Sequence, residues 1–528
     1  MVTRIDSVTT DSLDRYFQSW QLAWIGHAAK EQPQEIFESN TYWPLHDSLA
    51  FTDAIFGYAP AALVGSGPSA AMVRYNLIFL FTYALAFAGS ALLARELGLS
   101  WAASGVAGAA FAFAPWRLAH LNHLHVLSSG GIPLSLFLMV RGYRRDSAGM
   151  MFAGWAVAAW QLSLGFTLGL QLAYLLAVLA ALWLVTSIAR GARRKPSRRL
   201  ILAAGAGVAL FAVVGLAQGL PLLKVTRDYP ESRRPPELAA LLSPPLSGFM
   251  AAPESSVLWG EASAGFRDRL RWPPEMTLFP GLTLMLLVAA GLALPVLSGK
   301  WRLGLSLGIV VSVILCLGYS LAGGRLGFGL LYDYAPGWRS SRTPGRFFTL
   351  TSLGLALAGG AGAEGIRRLI DRKLPREVLK GLPAGLVVVA ILAVLVLAEG
   401  KGSIALADLP ASPAALAEIG DPQLHLPSDD VNDPLFMFWS TDGFPRIFNG
   451  YAGFVPVAHQ RLREQMRSFP DAGTVEQLRT AGFRFVIVHL DRVAGTPWGA
   501  ISDRSIEGLG LEREVGDGVI VYRLNGRR

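Results

Sequence analysis

Ten apolar segments, each close to the roughly 20 residues that cross a hydrocarbon core, constrain this chain more than any other feature. They lie near 72–95, 99–117, 126–142, 148–164, 167–189, 200–222, 277–297, 302–322, 346–365 and 380–398. A soluble domain cannot bury so many such runs. Hydrophobic residues make up 52% of the 528-residue chain and charged residues 16%, with a mean hydropathy of +0.40, which places it among polytopic membrane proteins. The formal charge of +9 then reads as orientation signal and not as an electrostatic footprint for nucleic acid. Cys316, the one cysteine, lies in an apolar run, has no partner for an intrachain disulfide and reads as an inert packing residue.

Four connections are rich in Lys and Arg: "RGYRRDS" (141–147), "ARGARRKPSRR" (189–199), "SGKWR" (298–302) and "RRLIDRKLPREVLK" (367–380). These are the expected cytoplasmic turns. Residues 1–71, the turn "WRLAHLNHLHVLSSG", the stretch 223–276, the loop 323–345 and everything after 399 then face outward. The expected division is an outer acidic loop with short interfacial helices at 1–71, a transmembrane domain at 72–398 and an extracytoplasmic α/β domain at 399–528. An outer N-terminal loop with no span before it implies a further helix upstream of Met1, lost through a start site placed too late. The C-terminal part carries strand-like apolar runs in "LHLPSDDVNDPLFMFWSTDGFPRIFNGYAGF" and "VGDGVIVYRL", with "TVEQLRTAGFRFVIVHL" reading as a helix stopped by Gly and followed by a buried strand. "ASPAALAEIGDPQ" reads as a linker. "GGAGAEG" at 359–365 ends a span on the cytoplasmic side and suits close helix packing, not phosphate binding.

Polar residues on the outer side mark the candidate chemistry. Asp14 in "SLDRYFQSW" and Asp53 in "HDSLAFTDAIFGYAP" each precede an aromatic and aliphatic run. Either carboxylate could accept a proton from an attacking hydroxyl or hold a divalent cation, and each could instead cap the helix that follows; spacing alone favours capping. In "FAPWRLAHLNHLHVLSSG", Arg117, His120 and His123 follow an i, i+3 progression and suit either a phosphate or a polar interfacial cap. With His125 they make a histidine-rich turn, but no HExxH pattern or neighbouring acid accompanies them, which argues against a metal. "YDYAPGWRSSRTPGRFF" places Arg339, Arg342 and Arg346 in an outer loop stiffened by Pro336 and Pro344. Planar guanidinium groups suit a diphosphate or phosphodiester; the alternative is snorkelling to lipid phosphates. Glu275 in "RWPPEMTLFPG" reads as catalytic support or as the partner of an arginine.

The order "LDRYFQSWQLAWIGHAA", "NTYWPLHDSLAFTDAIFG", "RYNLIFLFTYALAFAGSALLARELG" and "GAAFAFAPWRLAHLNHLH", with "EMTLFPG", "APGWRSSRTPGRF" and "STDGFPRIFNGYAGFVP" later, resembles bacterial integral membrane glycosyltransferases of the GT-C type that use polyprenyl-phosphate sugars. The resemblance runs over most of the chain. It implies an α-helical polytopic fold of about ten spans with a C-terminal α/β domain, set in the bacterial cytoplasmic membrane and working on its outer face. It further implies Asp14 as the acid of the first outer loop, Asp53 as a second acid, and inverting transfer from a polyprenyl-phosphate sugar to a glycan, lipid or protein acceptor. Donor phosphate would be held by Arg339, Arg342 and Arg346, with Arg117, His120 and His123 as further candidates and Glu275 in support. "SLDRYF" departs from a DxD pattern, so the cofactor stays open: the residues permit a divalent cation without requiring one. Membrane lipid is an expected partner and nucleic acid is not. A transporter or flippase for lipid-linked saccharides, or an assembly scaffold, is the competing reading. Few ionisable residues sit at mid-membrane depth, which favours the enzyme.

Overall fold

A computed structural model describes residues 4–10, 12–189, 196–374 and 383–524. Every apolar segment contains a long helix. They are α2 (Gly67–Glu96), α3 (Trp101–Ala112), α4 (Gly131–Arg145), α5 (Ala148–Leu162), α6 (Phe166–Ala189), α7 (Arg198–Asp228), α8 (Leu282–Ala293), α9 (Gly299–Cys316), α10 (Phe348–Lys373) and α11 (Ala384–Glu399), preceded by α1 (Leu13–Glu31). Among the described residues five helices are long and apolar enough to cross a membrane: α2, α6, α7, α9 and the Leu124–Arg145 run that includes α4. The protein is a multi-pass membrane protein. Two of the expected basic loops, 189–199 and 367–380, lie partly outside the described residues.

The chain divides into two compact units, one of Met1–Ile78, Gln218–Ser232 and Ala405–Arg528, the other of Phe79–Ala217 and Arg233–Ile404. In the second unit, α10 is the central packing element. Its glycine-rich stretch does not end the helix as expected; it lies within α10, buried, and the helix runs on to Lys373. A Cβ on Gly362 would stand 1.9 Å from the Leu287 carbonyl oxygen and one on Gly291 2.0 Å from that of Ala358, so α8 and α10 meet backbone to backbone. On another face a Cβ on Gly360 would meet Ala107 Cβ at 2.9 Å, which brings α3 equally near. Small residues permit this approach, and dispersion between the close backbones replaces a hydrophobic force that lipid cannot supply. At the same end Glu364 is buried and accepts from Ser100 Oγ (2.5 Å), Arg367 Nη2 (2.8 Å) and Arg368 Nε (2.8 Å). Helices α6 and α7 instead leave Leu182, Val185, Ile188, Leu202, Val213 and Leu216 exposed, as lipid-facing helices do.

In the first unit, short strands β1 (Val8–Thr9) and β2 (Leu406–Ala407) pair antiparallel. A four-stranded sheet follows, built from β3 (Gln423–Leu426), β4 (Phe485–His489), β5 (Leu511–Gly516) and β6 (Val519–Leu524) in the order β3-β4-β6-β5, with β3 and β4 parallel and the other pairs antiparallel. The expected helix before β4 is α14 (Ala472–Thr480), opened by a capping box between Asp471 and Thr474 and followed by Gly482 at φ +85°. One expected strand is a helix. The run "PLFMFW" forms α12 (Asp433–Trp439), because Pro434 suits the first helical turn and every residue of the run is buried, a pattern with no alternation to favour a strand. Between α12 and α14 lies α13 (Val457–Gln465). The long helix α1 is buried along most of its length, and Trp20 Nε1 donates to Asn40 Oδ1 (2.9 Å), whose amide donates to Ser440 Oγ (3.0 Å) and the Pro445 carbonyl (2.9 Å). The N-terminal segment and the sheet region therefore share one core.

Candidate functional site

In the second unit three sequence-distant pieces converge. The first begins where α3 stops. Pro115 opens a 3-10 helix, Pro115–His120, and Trp116 anchors it with its indole N–H on Ser352 Oγ (3.2 Å) and its ring edge-on to Phe348 (5.3 Å). The second is the short helix Pro273–Met276, which carries Glu275 and starts with two prolines that already hold a helical φ. The third is the arginine loop. Trp338 stacks on Phe347 at 4.8 Å and Tyr174 Oη donates to the Pro336 carbonyl (3.0 Å), which closes the loop. Gly345 then passes so near that a Cβ would lie 2.6 Å from the Glu275 carbonyl oxygen.

This approach joins Arg346 to Glu275. The guanidinium donates from Nη2 to Oε1 (2.5 Å) and from Nε to Oε2 (3.2 Å), and Nη1 donates to His125 Nε2 (3.0 Å), which fixes that ring nitrogen as the unprotonated one. Burial alone would raise the Glu275 carboxyl, but the Arg346 charge outweighs it and holds the group well below the usual carboxylate range. His120 Nδ1 lies 3.2 Å from His123 Nδ1. Burial pushes His120 down to about 3, so its imidazole is neutral at any physiological pH. One ligand atom from each of His120, His123 and Glu275 lies within 4.8 Å of the others. The sequence argument against a metal rested on the lack of an accompanying acid; the fold brings that acid from the far side of several helices.

The other candidates separate. Arg117 is fully buried: Nη1 donates to Ser129 Oγ (3.0 Å), Nη2 to the Leu127 carbonyl (2.9 Å), and the guanidinium lies 5.2 Å from the Tyr83 ring centre. The 3-10 helix that carries Arg117 and His120 ends at His120, so the i, i+3 progression does not continue as one helix to His123, which precedes the next short helix. Arg339 is exposed in the short 3-10 helix Trp338–Ser340, with long contacts of 3.4 Å to the Tyr332 and Asp333 carbonyls, and Arg342 is half-buried. Cys316 is buried and donates to the Gly345 carbonyl (3.3 Å), a packing role.

In the first unit Asp14 stands in the first turn of α1, half-buried, where a carboxylate is favoured by the helix dipole. It is not the cap, since Ser12 occupies that position. Tyr451 Oη donates to Asp14 Oδ1 (3.3 Å), and the Tyr451 ring lies edge-on to Phe17 at 5.6 Å. Asp53 is also half-buried, and Ile55 and Tyr58 hold the N-cap positions of the two short helices that follow. Its carbonyl accepts from Gln21 Nε2 (3.0 Å), which sets the Asp53 segment against α1.

Two groupings were invisible in the sequence. Arg15, next to Asp14, is fully buried with its guanidinium 5.5 Å from the Tyr75 ring centre. Near the sheet, buried Asp433 accepts from Arg463 Nη2 (2.8 Å), Asn449 Nδ2 (2.6 Å), Ser428 Oγ (3.1 Å) and the Gly450 N–H (3.2 Å). Composition gave no sign of either. An Arg beside an Asp at a helix start is the one local cue, and it is common on solvated helices too.

The architecture, a bundle of apolar helices with a small C-terminal sheet region, defines a GT-C-like membrane fold. Among solved structures the chain is similar to the arabinofuranosyltransferase AftD from mycobacteria, determined by cryo-electron microscopy, with a TM-score of 0.58 and 15% sequence identity. The likeness covers 100% of this chain and 39% of that one, so the chain spans well under half the length of that protein. No protein-family model and no curated protein matches the sequence.

Proposed function

We propose that the protein is a membrane glycosyltransferase that moves a sugar from a polyprenyl-phosphate donor to a hydroxyl acceptor, with inversion, on the outer face of the bacterial cytoplasmic membrane. The observation that carries the reading is the fold likeness to an arabinofuranosyltransferase along the whole of this chain. The acceptor oxygen attacks the anomeric carbon, the bond from that carbon to the phosphate oxygen breaks, and polyprenyl phosphate leaves. In the first unit, Asp14 takes the acceptor's proton. Its half-buried carboxylate, held by Tyr451 Oη, is the group that accepts that proton. Asp53 is the second acid, set against the same helix. In the second unit, Arg339 and Arg342 are the cations that meet donor phosphate, whereas Arg346 with Glu275 holds their loop in place. Arg117 serves the fold of the histidine turn.

The test is transfer of radiolabelled sugar from polyprenyl-phosphate donors by the purified, reconstituted protein, with the anomeric configuration of the product read by NMR. Transfer that persists unchanged in Asp14→Asn removes the proton-accepting role. Donor binding without transfer in the wild type, accompanied by movement of the lipid across the bilayer, would favour the transporter reading instead.

A further inference from the structure

We propose that His120, His123 and Glu275 form a binding site for one divalent transition-metal ion of the zinc class. The geometry is the first argument. Two nitrogens bound to one tetrahedral ion at about 2.0–2.1 Å stand about 3.3–3.4 Å apart, and His120 Nδ1 and His123 Nδ1 stand 3.2 Å apart. A Glu275 oxygen lies within 4.8 Å of the ligand atoms of both histidines, a gap that small side-chain rotations close. The donor set is the second. Two imidazoles and one carboxylate suit zinc and its transition-metal neighbours, whereas magnesium and calcium take oxygen ligands.

The surroundings supply what such a site requires. His120 and Glu275 are buried, so their ligand atoms are shielded from bulk water. Glu275 is oriented by Arg346, which is itself held by His125, an outer layer that fixes a ligand's direction. A carboxylate offers about four lone-pair directions on two oxygens, so the Glu275 oxygens that accept from Arg346 each keep a lone pair for the ion. Three protein ligands leave the fourth position of the ion for water or a substrate oxygen, the arrangement of catalytic and not of structural zinc sites. The competing account is a plain hydrogen bond between two imidazoles, with Glu275 serving Arg346 alone.

The experiment uses the full-length protein in detergent, stripped with a chelator and then titrated with zinc and with cobalt(II). About one zinc per chain by elemental mass spectrometry, and cobalt absorption with the intensity of a four-coordinate ion, are expected. The double variant His120→Ala/His123→Ala should lose that metal, Glu275→Gln should bind at least about 10-fold more weakly, and Arg346→Lys should bind about 10-fold or more weakly through the outer layer. Should the double variant fail to fold, the stripped wild type decides alone: zinc should raise its melting temperature, and magnesium should not. Absence of stoichiometric binding by the wild type, or equal binding by a folded double variant, overturns the proposal. Because the readout is metal content, it stands or falls separately from transferase activity.

Discussion

Arg346 clasps Glu275 with two donors, at 2.5 and 3.2 Å, although the two residues are separated by several helices in the chain. Truncating one partner of a buried ion pair leaves the other charge without compensation, at a cost of about 3–5 kcal/mol. Glu275→Ala should therefore destabilise the protein by about that much, and the double variant Glu275→Gln/Arg346→Met by clearly less. Unfolding of the purified protein in detergent, followed by fluorescence, compares them.

The Asp433–Arg463 pair gives an independent test in the other unit. Arg463 donates to the Gly450 carbonyl as well as to the two carboxylates of Asp430 and Asp433, so its removal strands Asp433 in the core. Arg463→Met should cost about 3–5 kcal/mol, and adding Asp433→Asn should recover part of it. A double-mutant cycle on melting temperatures checks this coupling.

Acid should weaken the sheet region. Burial pushes both His425 and His459 down to about 3 from an ordinary 6.5, so each is neutral when folded and protonates readily only when unfolded. Between those values the unfolded state binds more protons, and stability falls as pH drops. At pH 5 each histidine should have cost about 2 kcal/mol relative to pH 8. His459 stacks on Phe448 at 4.1 Å, so His459→Phe preserves the stack and should flatten the slope of melting temperature against pH.

Asp14→Asn should lower turnover by about 10²- to 10⁴-fold, the usual contribution of a positioned proton acceptor. Tyr451→Phe removes the bond to Asp14 Oδ1 and should give a smaller loss. Steady-state transfer of labelled sugar distinguishes the two.

Two glycines should behave oppositely. Gly362→Ala forces a Cβ against the Leu287 carbonyl and should cost about 1–3 kcal/mol. Gly308, in α9, has open space where its Cβ would be, so Gly308→Ala should be neutral or stabilising by up to about 1 kcal/mol. Thermal unfolding of the two variants reads the difference.

Helix positions were legible in the sequence because each apolar segment must satisfy its own backbone hydrogen bonds in lipid, a local requirement that local composition meets. The helix and strand around Gly482 were legible for the same reason: a cap, a stop and a buried run are neighbours in the chain. "PLFMFW" was not, since a short run buried on all sides carries no period. The same limit governs the polar residues. Arg117, His120 and His123 looked like one helical face, but the 3-10 helix ends at His120, and Arg117 is committed to Ser129 and the Leu127 carbonyl while His120 meets His123. By itself the sequence determined a helical membrane chain with a C-terminal α/β region and a set of candidate polar residues. Only the tertiary structure decided that Glu275 meets Arg346 and the histidine turn, that Tyr451 meets Asp14, and that the first and last segments share a core. Those pairings depend on distances between residues remote in the chain, which packing sets and local composition does not encode.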